Sequence, residues 1–124
     1  MSVRELTMAD FESTILHNQI VLVDLWAPWC GPCRAFAPVF EKSAQAHPDV
    51  VHAKVNTQAE QKLAATVGIR SIPTIMAFRD GVLVYSQAGA TPPAVLNDLI
   101  RQIKALDMAA VHAQIADRKV AATA

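Results

Sequence analysis

Apolar and polar residues change their period several times along the chain, and each change marks an element. Phe11, Ile15 and Leu16 repeat at helical spacing behind Thr7 and Asp10, a pair spaced like a capping box, which predicts a first helix. From Ile20 to Ala27 the residues are apolar on both parities apart from Asp24, the pattern of a central strand covered on both faces; Pro28 ends it. Phe36, Val39, Phe40 and Ala44 return to helical spacing between Cys33 and about Ala46, and Pro38 inside that stretch predicts a kink. "DVVHAKVN" reads as a second strand. "AEQKLAATVG" reads as a short helix with Gly68 where a left-handed cap belongs. "TIMAF" and "VLVYSQ" flank a turn made by Asp80 and Gly81, a hairpin.

Thr91 as cap and Pro92 at the first helical position start a last helix, with Leu96, Leu99, Ile100, Ile103 and Leu106 on one face. The alanine-rich tail, 107–124, is expected to extend that helix and then fray. The order strand, helix, strand, helix, hairpin, helix predicts an α/β sandwich with a mixed sheet, and residues 1–106 suffice for one domain.

Eleven charges of each sign give no electrostatic reason to expect a nucleic acid or a membrane surface as partner. The opening mixes Arg4, Glu5, Asp10 and Glu12 among its apolar residues, unlike a secretory signal, and the longest apolar run is too short to span a bilayer. The cytoplasm is the expected address, and a lasting structural disulfide is not expected there.

That expectation bears on "APWCGPCR", which holds both cysteines, Cys30 and Cys33, around Gly31 and Pro32. Three uses compete: a metal clip, a structural staple, and a dithiol that opens and closes. A tetrahedral zinc site needs four ligands, and His17, His47, His52 and His112 lack paired spacing; they are expected at the surface or at strand edges. A staple across so small a loop removes little unfolded-chain entropy. A dithiol has a positive mechanism. With Cys30 at a loop-to-helix junction, unpaired N–H groups and the helix dipole stabilise its thiolate, while Pro32 needs no donor and stiffens the loop. Arg34 either adds a positive charge or is a solvated helix residue. The site then lies just beyond the carboxyl end of a central strand, where chemistry collects in open α/β sheets. Cys30 attacks a disulfide and Cys33 resolves the mixed disulfide.

Asp24 shares its strand parity with Leu22 and Trp26. Either it is buried, with its pKa raised by desolvation so that it trades a proton with Cys33, or it faces solvent at a strand end. Lys54, the one cation in the next predicted strand, is its prospective partner. Gly31, Gly68, Gly81 and Gly89 form neither a dinucleotide fingerprint nor a phosphate loop, so electrons must come from outside the chain.

"VDLWAPWCGPCRAFAPVF", "KVN", "GIRSIPT", "DG" and "AGA" resemble the thioredoxin family, in order and interval, from Val3 to Leu106. "FAPVFEK", "KVNTQAE" and "RSIPTIMAF" resemble its second bacterial type. That type usually carries an N-terminal zinc segment with two further cysteine pairs; those cysteines are not in this sequence, and no metal is expected. The resemblance implies the thioredoxin fold, a three-layer α/β/α sandwich around a central mixed sheet. It implies that Cys30 is the exposed nucleophile, Cys33 the resolving thiol, Asp24 the buried acid/base and Lys54 its neighbour. Trp29 would flank the site. Pro73 would be a cis proline facing the disulfide, leaving the Ile72 backbone free to pair with an extended substrate. Gly89 and Ala90 would complete an apolar groove with Trp29 and Ile72, or Gly89 would only mark a bulge.

The implied activity is reduction of protein disulfides by a monomer with no cofactor beyond its cysteine pair, recharged by an NADPH-dependent flavoprotein thioredoxin reductase. Gly31-Pro32 resembles the dipeptide of the reducing members; oxidases and isomerases more often have a histidine there. An oxidase or isomerase, and a non-enzymatic subunit using the fold for binding, are the rival readings. Thr57 and Gln58 stand where the commonest members carry an acidic residue.

Overall fold

The computed structural model describes residues 3–123. In chain order its elements are β1 (Val3–Glu5), α1 (Phe11–Leu16), β2 (Ile20–Trp26), α2 (Gly31–Ala46), β3 (Val51–Asn56), α3 (Gln61–Val67), β4 (Thr74–Arg79), β5 (Val82–Ala88), α4 (Pro93–Lys104) and α5 (Met108–Thr123). The strands form one sheet in the order β1-β3-β2-β4-β5. β3 runs parallel to β1 and β2, while β4 is antiparallel to β2 and β5, so the sheet is mixed.

The doubly apolar run of β2 makes it the middle strand. Leu22 packs with Phe36 and Phe40 of α2 and with Leu96, Ile100 and Ile103 of α4 on one face. Val21, Val23 and Leu25 pack with Ile15 of α1 and Leu63 of α3 on the other. The result is the three-layer thioredoxin fold.

Local chemistry explains several boundaries. Asp80 and Gly81 both have positive φ, 53° and 80°, as a two-residue hairpin turn matched to strand twist requires. Gly68 ends α3 in the left-handed conformation, φ 74°. Thr7 and Asp10 form a turn ahead of α1 rather than its capping box. The Asp10 carboxylate accepts the Thr7 N–H at 2.6 Å, and Asp10 itself is the N-cap.

Other expectations need correction. β1 was not foreseen, because three residues including Arg4 and Glu5 have no apolar pattern; only pairing with β3 makes them a strand. α2 begins at Gly31, ahead of Cys33. The last helix is capped by Pro92, with Pro93 first inside, not by Thr91. The reason is steric: a residue followed by proline is pushed out of the helical region, and Pro92 accordingly sits at φ −61°, ψ 152°.

The tail does not extend α4. The chain turns after Lys104, leaving Leu106 outside the helix, and α5 starts afresh. Arg79 Nη1 donates to the carbonyls of Ile103 (2.7 Å), Lys104 (3.3 Å) and Leu106 (3.5 Å), adding a donor to the corner where α4 ends. Asp107 Oδ1 accepts the Ala110 N–H at 3.2 Å, a cap for α5. His52 is not at a strand edge. It is 1% exposed, bonded to Ser43 Oγ (2.9 Å) and the Val50 carbonyl (3.0 Å) and packed on Phe40, because β1 makes β3 an interior strand.

Candidate functional site

β2 ends at Trp26, and a short loop carries the chain to Cys30, the N-cap of α2, in extended conformation. The Cys33 N–H, one of the orphan donors of the helix start, points at Cys30 Sγ, 3.2 Å away. Cys30 and Cys33 are joined in a disulfide with their Cα atoms 5.2 Å apart. Ala27 is buried with the pair, and Trp26 and Ile72 pack against it.

Three contacts that the sequence pattern did not signal hold this loop. The backbone N–H and the hydroxyl of Thr57 both donate to the Trp26 carbonyl, at 2.8 and 3.0 Å. The Cys30 N–H donates to the Ala27 carbonyl at 3.2 Å. Arg34 Nη1 donates to the Pro28 carbonyl at 2.9 Å, so Arg34 braces the loop rather than being merely solvated. Helical spacing placed Arg34 in the first turn of α2, but only the bend of the loop brings Pro28 within its reach.

Asp24 is buried, 3% exposed, and its Oδ1 finds no hydrogen-bond partner. Desolvation pushes its carboxyl up from 3.8 to about 7, and the positive charge of Lys54 opposes the shift. Lys54 stands opposite Asp24 in the β2–β3 register but makes no ion pair with it, contrary to expectation. β1 places Glu5 on the other side of Lys54. The ammonium lies 3.6 Å from Glu5 Oε2, on the solvent side, and 5.0 Å from the centre of the Trp26 ring. Glu5 attracts the ammonium at little desolvation cost, whereas Asp24 would bury it.

The remaining candidates gather partly. The Ile72–Pro73 peptide is cis, Pro73 is buried, and Ile72 packs against the cysteine pair. The Gly89 N–H donates to the Pro73 carbonyl at 2.8 Å; Gly89 has φ 98° and lies past the end of β5, so it is not a bulge within that strand. Trp29 is 68% exposed, and Gly31, Pro32, Gly89 and Ala90 are exposed. Cys30 itself is 5% exposed and Cys33 2%, so the expected contrast in exposure is small: bonded to each other, both are covered by Ala27, Trp26 and Ile72.

Among the described residues, no group of three or more His, Cys, Asp or Glu is placed to hold a metal ion. Among them too, no helix is long and apolar enough to cross a membrane.

Comparison with known proteins places this geometry. The thioredoxin family model matches residues 2–102. The chain is 48% identical over 118 residues to a putative thioredoxin 2 of Streptomyces coelicolor, covering 95% of this chain and 88% of that one. It is 50% identical over 92 residues to thioredoxin 1 of Synechococcus elongatus, covering 73% and 86% respectively. The thioredoxin structure from Plasmodium falciparum superimposes with a TM-score of 0.75 at 32% identity, over 80% of this chain and 97% of that one. A cysteine pair at this strand-to-helix junction makes the protein a thiol–disulfide oxidoreductase that reduces disulfides. The chain belongs to the thioredoxin family.

Proposed function

We propose that this protein is a general reductant of protein disulfides in the cytoplasm, acting as a monomer and recharged by an NADPH-dependent flavoprotein reductase. The observation that carries the reading is the Cys33 N–H aimed at the Cys30 sulfur at the start of α2, which favours negative charge on that sulfur. In the reduced protein the Cys30 thiolate attacks a substrate disulfide. The substrate S–S bond breaks, one substrate sulfur leaves as a thiolate and takes a proton from water, and Cys30 holds the other in a mixed disulfide.

Asp24, poised near neutrality, accepts the Cys33 proton directly or through a water. The Cys33 thiolate then attacks Cys30 Sγ, closing the protein's own disulfide and releasing the second substrate thiolate. Two electrons have passed to the substrate, and the reductase returns them. The Ile72 backbone beside cis Pro73 pairs with an extended substrate segment, while Trp29, Gly89 and Ala90 form the surrounding surface. Gly31 leaves open space beside the loop, where a Cβ would meet nothing within 4 Å. Lys54 tunes Asp24 by its field alone. No cofactor is required.

Reduction of a disulfide-bonded test protein by wild type, Cys30→Ser and Cys33→Ser tests these roles. Cys30→Ser is expected to be inactive, and Cys33→Ser to accumulate a covalent adduct with the test protein. Equal activity in all three sinks the reading. An equilibrium with glutathione that leaves the pair mostly oxidised supports the reducing role, because a strong reductant gives up its electrons; a pair left mostly reduced is the mark of an oxidase.

A further inference from the structure

The stretches that supply the cysteine loop, the cis proline and Gly89, residues 26–34, 68–74 and 88–92, carry two charged side chains, Arg34 and Arg70, both positive, although the whole chain is neutral. Acidic residues of the neighbouring segments are engaged elsewhere. Glu5 lies 3.6 Å from Lys54, Asp24 is buried, and Glu60 accepts the Met8 N–H at 2.9 Å. Among the described residues neither arginine enters a salt bridge. Arg34 uses one of its five N–H groups on the Pro28 carbonyl, and Arg70 is exposed.

Arg70 also lines a groove that begins beside the cis proline. A space of about 290 Å³ is bordered by Ile69, Arg70 and Ser71 ahead of β4 and by Thr74, Ser86 and Ala88 of the β4–β5 hairpin. Arg70 is the one charged residue of its lining. Thr74 and Ala88 are partners in the β4–β5 register, and the residues next to them, Pro73 and Gly89, are joined by the 2.8 Å hydrogen bond. This end of the groove therefore adjoins the Ile72–Pro73 backbone. The Thr74 hydroxyl donates to the Ser71 carbonyl at 2.6 Å and fixes the bend that follows Arg70. Ser71 and Ser86 are exposed, so their hydroxyls are open to a ligand.

We propose, resting on the reading of this protein as a reductant of protein disulfides, that this groove is a subsite for an acidic side chain of the substrate, and that Arg70 selects polypeptides whose disulfide is flanked by aspartate or glutamate. A guanidinium holds a carboxylate through two parallel N–H donors and gives up its water more readily than an ammonium does. An extended chain advances about 3.3 Å per residue, so an acidic residue within a few positions of the substrate cysteine reaches Arg70 from the Ile72 backbone. Arg34, at the start of α2, adds to the attraction, and a basic segment is repelled by both. The thiol–disulfide exchange itself is unchanged; Arg70 binds and does not react.

The test uses three peptides, each closed by one disulfide and identical except for Glu, Gln or Lys at the positions flanking the cysteines. Rate constants for their reduction by the pre-reduced full chain are divided by those for dithiothreitol, a neutral dithiol, which removes differences in the peptides' own reactivity. Wild type is expected to favour Glu over Gln over Lys, with Glu ahead of Lys by about tenfold at low ionic strength and by much less in about 1 M salt. Arg70→Glu is expected to bring the Glu-to-Lys ratio to one or below, and Arg70→Lys to keep most of it. Equal rates for the three peptides with wild type overturn the proposal and leave the reductase reading standing, as does a Glu preference that Arg70→Glu leaves intact. A wild type that reduces none of the three overturns the reductase reading and this proposal with it.

Discussion

Burial in β2 raises the Asp24 carboxyl to about 7, chiefly by desolvation, with Lys54 pulling the other way. In the unfolded chain the same group ionises near 3.8. Between the two values the folded state holds a proton that the unfolded state has lost, so stability falls as pH rises through that window, and the penalty is complete above about 7. At about 1.4 kcal/mol per pH unit the full penalty is about 4 kcal/mol. Asp24→Asn is therefore expected to stabilise the protein by up to about 4 kcal/mol at roughly pH 8 and by little in acid, measured by denaturant unfolding at both extremes. The same variant is expected to slow closure of the Cys30–Cys33 bond, since no carboxylate remains to take the Cys33 proton. Asp24 was legible as an anomaly because one charge interrupts an apolar run. Its relation to Lys54 was not, since that depended on Glu5, which only strand pairing brings near.

Elements were legible where a periodic pattern was long and misplaced where a neighbour set the boundary. β2, α2 and the β4–β5 hairpin follow directly from period and turn chemistry. The start of α4 shifted by one residue because two successive prolines act on each other, and its end was set from outside by Arg79 of β4. Arg79 is 12% exposed at its side chain and donates to carbonyls at the end of α4 and just beyond it, of which Ile103 also accepts the Leu106 N–H at 3.3 Å. Arg79→Ala is expected to cost about 2 kcal/mol of stability, because charge-assisted hydrogen bonds to part-buried carbonyls are lost. Thermal or denaturant unfolding checks this, and disulfide reduction at ambient temperature should persist, since Arg79 lies away from the cysteines. A loss below a few tenths of a kcal/mol would show that water takes over the capping.

For the whole molecule, Asp24 and His52 oppose each other. Desolvation lowers the His52 pKa below 6.5, with the hydrogen bond to Val50 opposing. Below 6.5 the unfolded chain takes up a proton that folded His52 refuses, so its contribution makes stability fall as pH falls. Asp24 makes stability fall as pH rises over 3.8 to about 7. Where the windows overlap, just below 6.5, the two slopes oppose each other, and a shallower stability profile is expected there than either group alone would give. Asp24→Asn should tilt the profile upward with pH there, and His52→Gln should tilt it downward, each by as much as about 1.4 kcal/mol per pH unit. Parallel profiles for wild type and both variants would count against both assignments.

The sequence by itself determined the central strand, the helix that follows it, the hairpin and the position of the cysteine pair at a strand-to-helix junction. These are local matters of period, turn residues and spacing, decided by neighbours along the chain. Tertiary structure alone decided that Val3–Glu5 is a strand, that His52 is interior, that Lys54 faces Glu5, that Thr57 and Arg34 brace the cysteine loop and that residues after Lys104 form a separate helix. Each of these rests on a partner distant in sequence, and hydrogen bonding, desolvation and charge attraction act across space without regard to that separation.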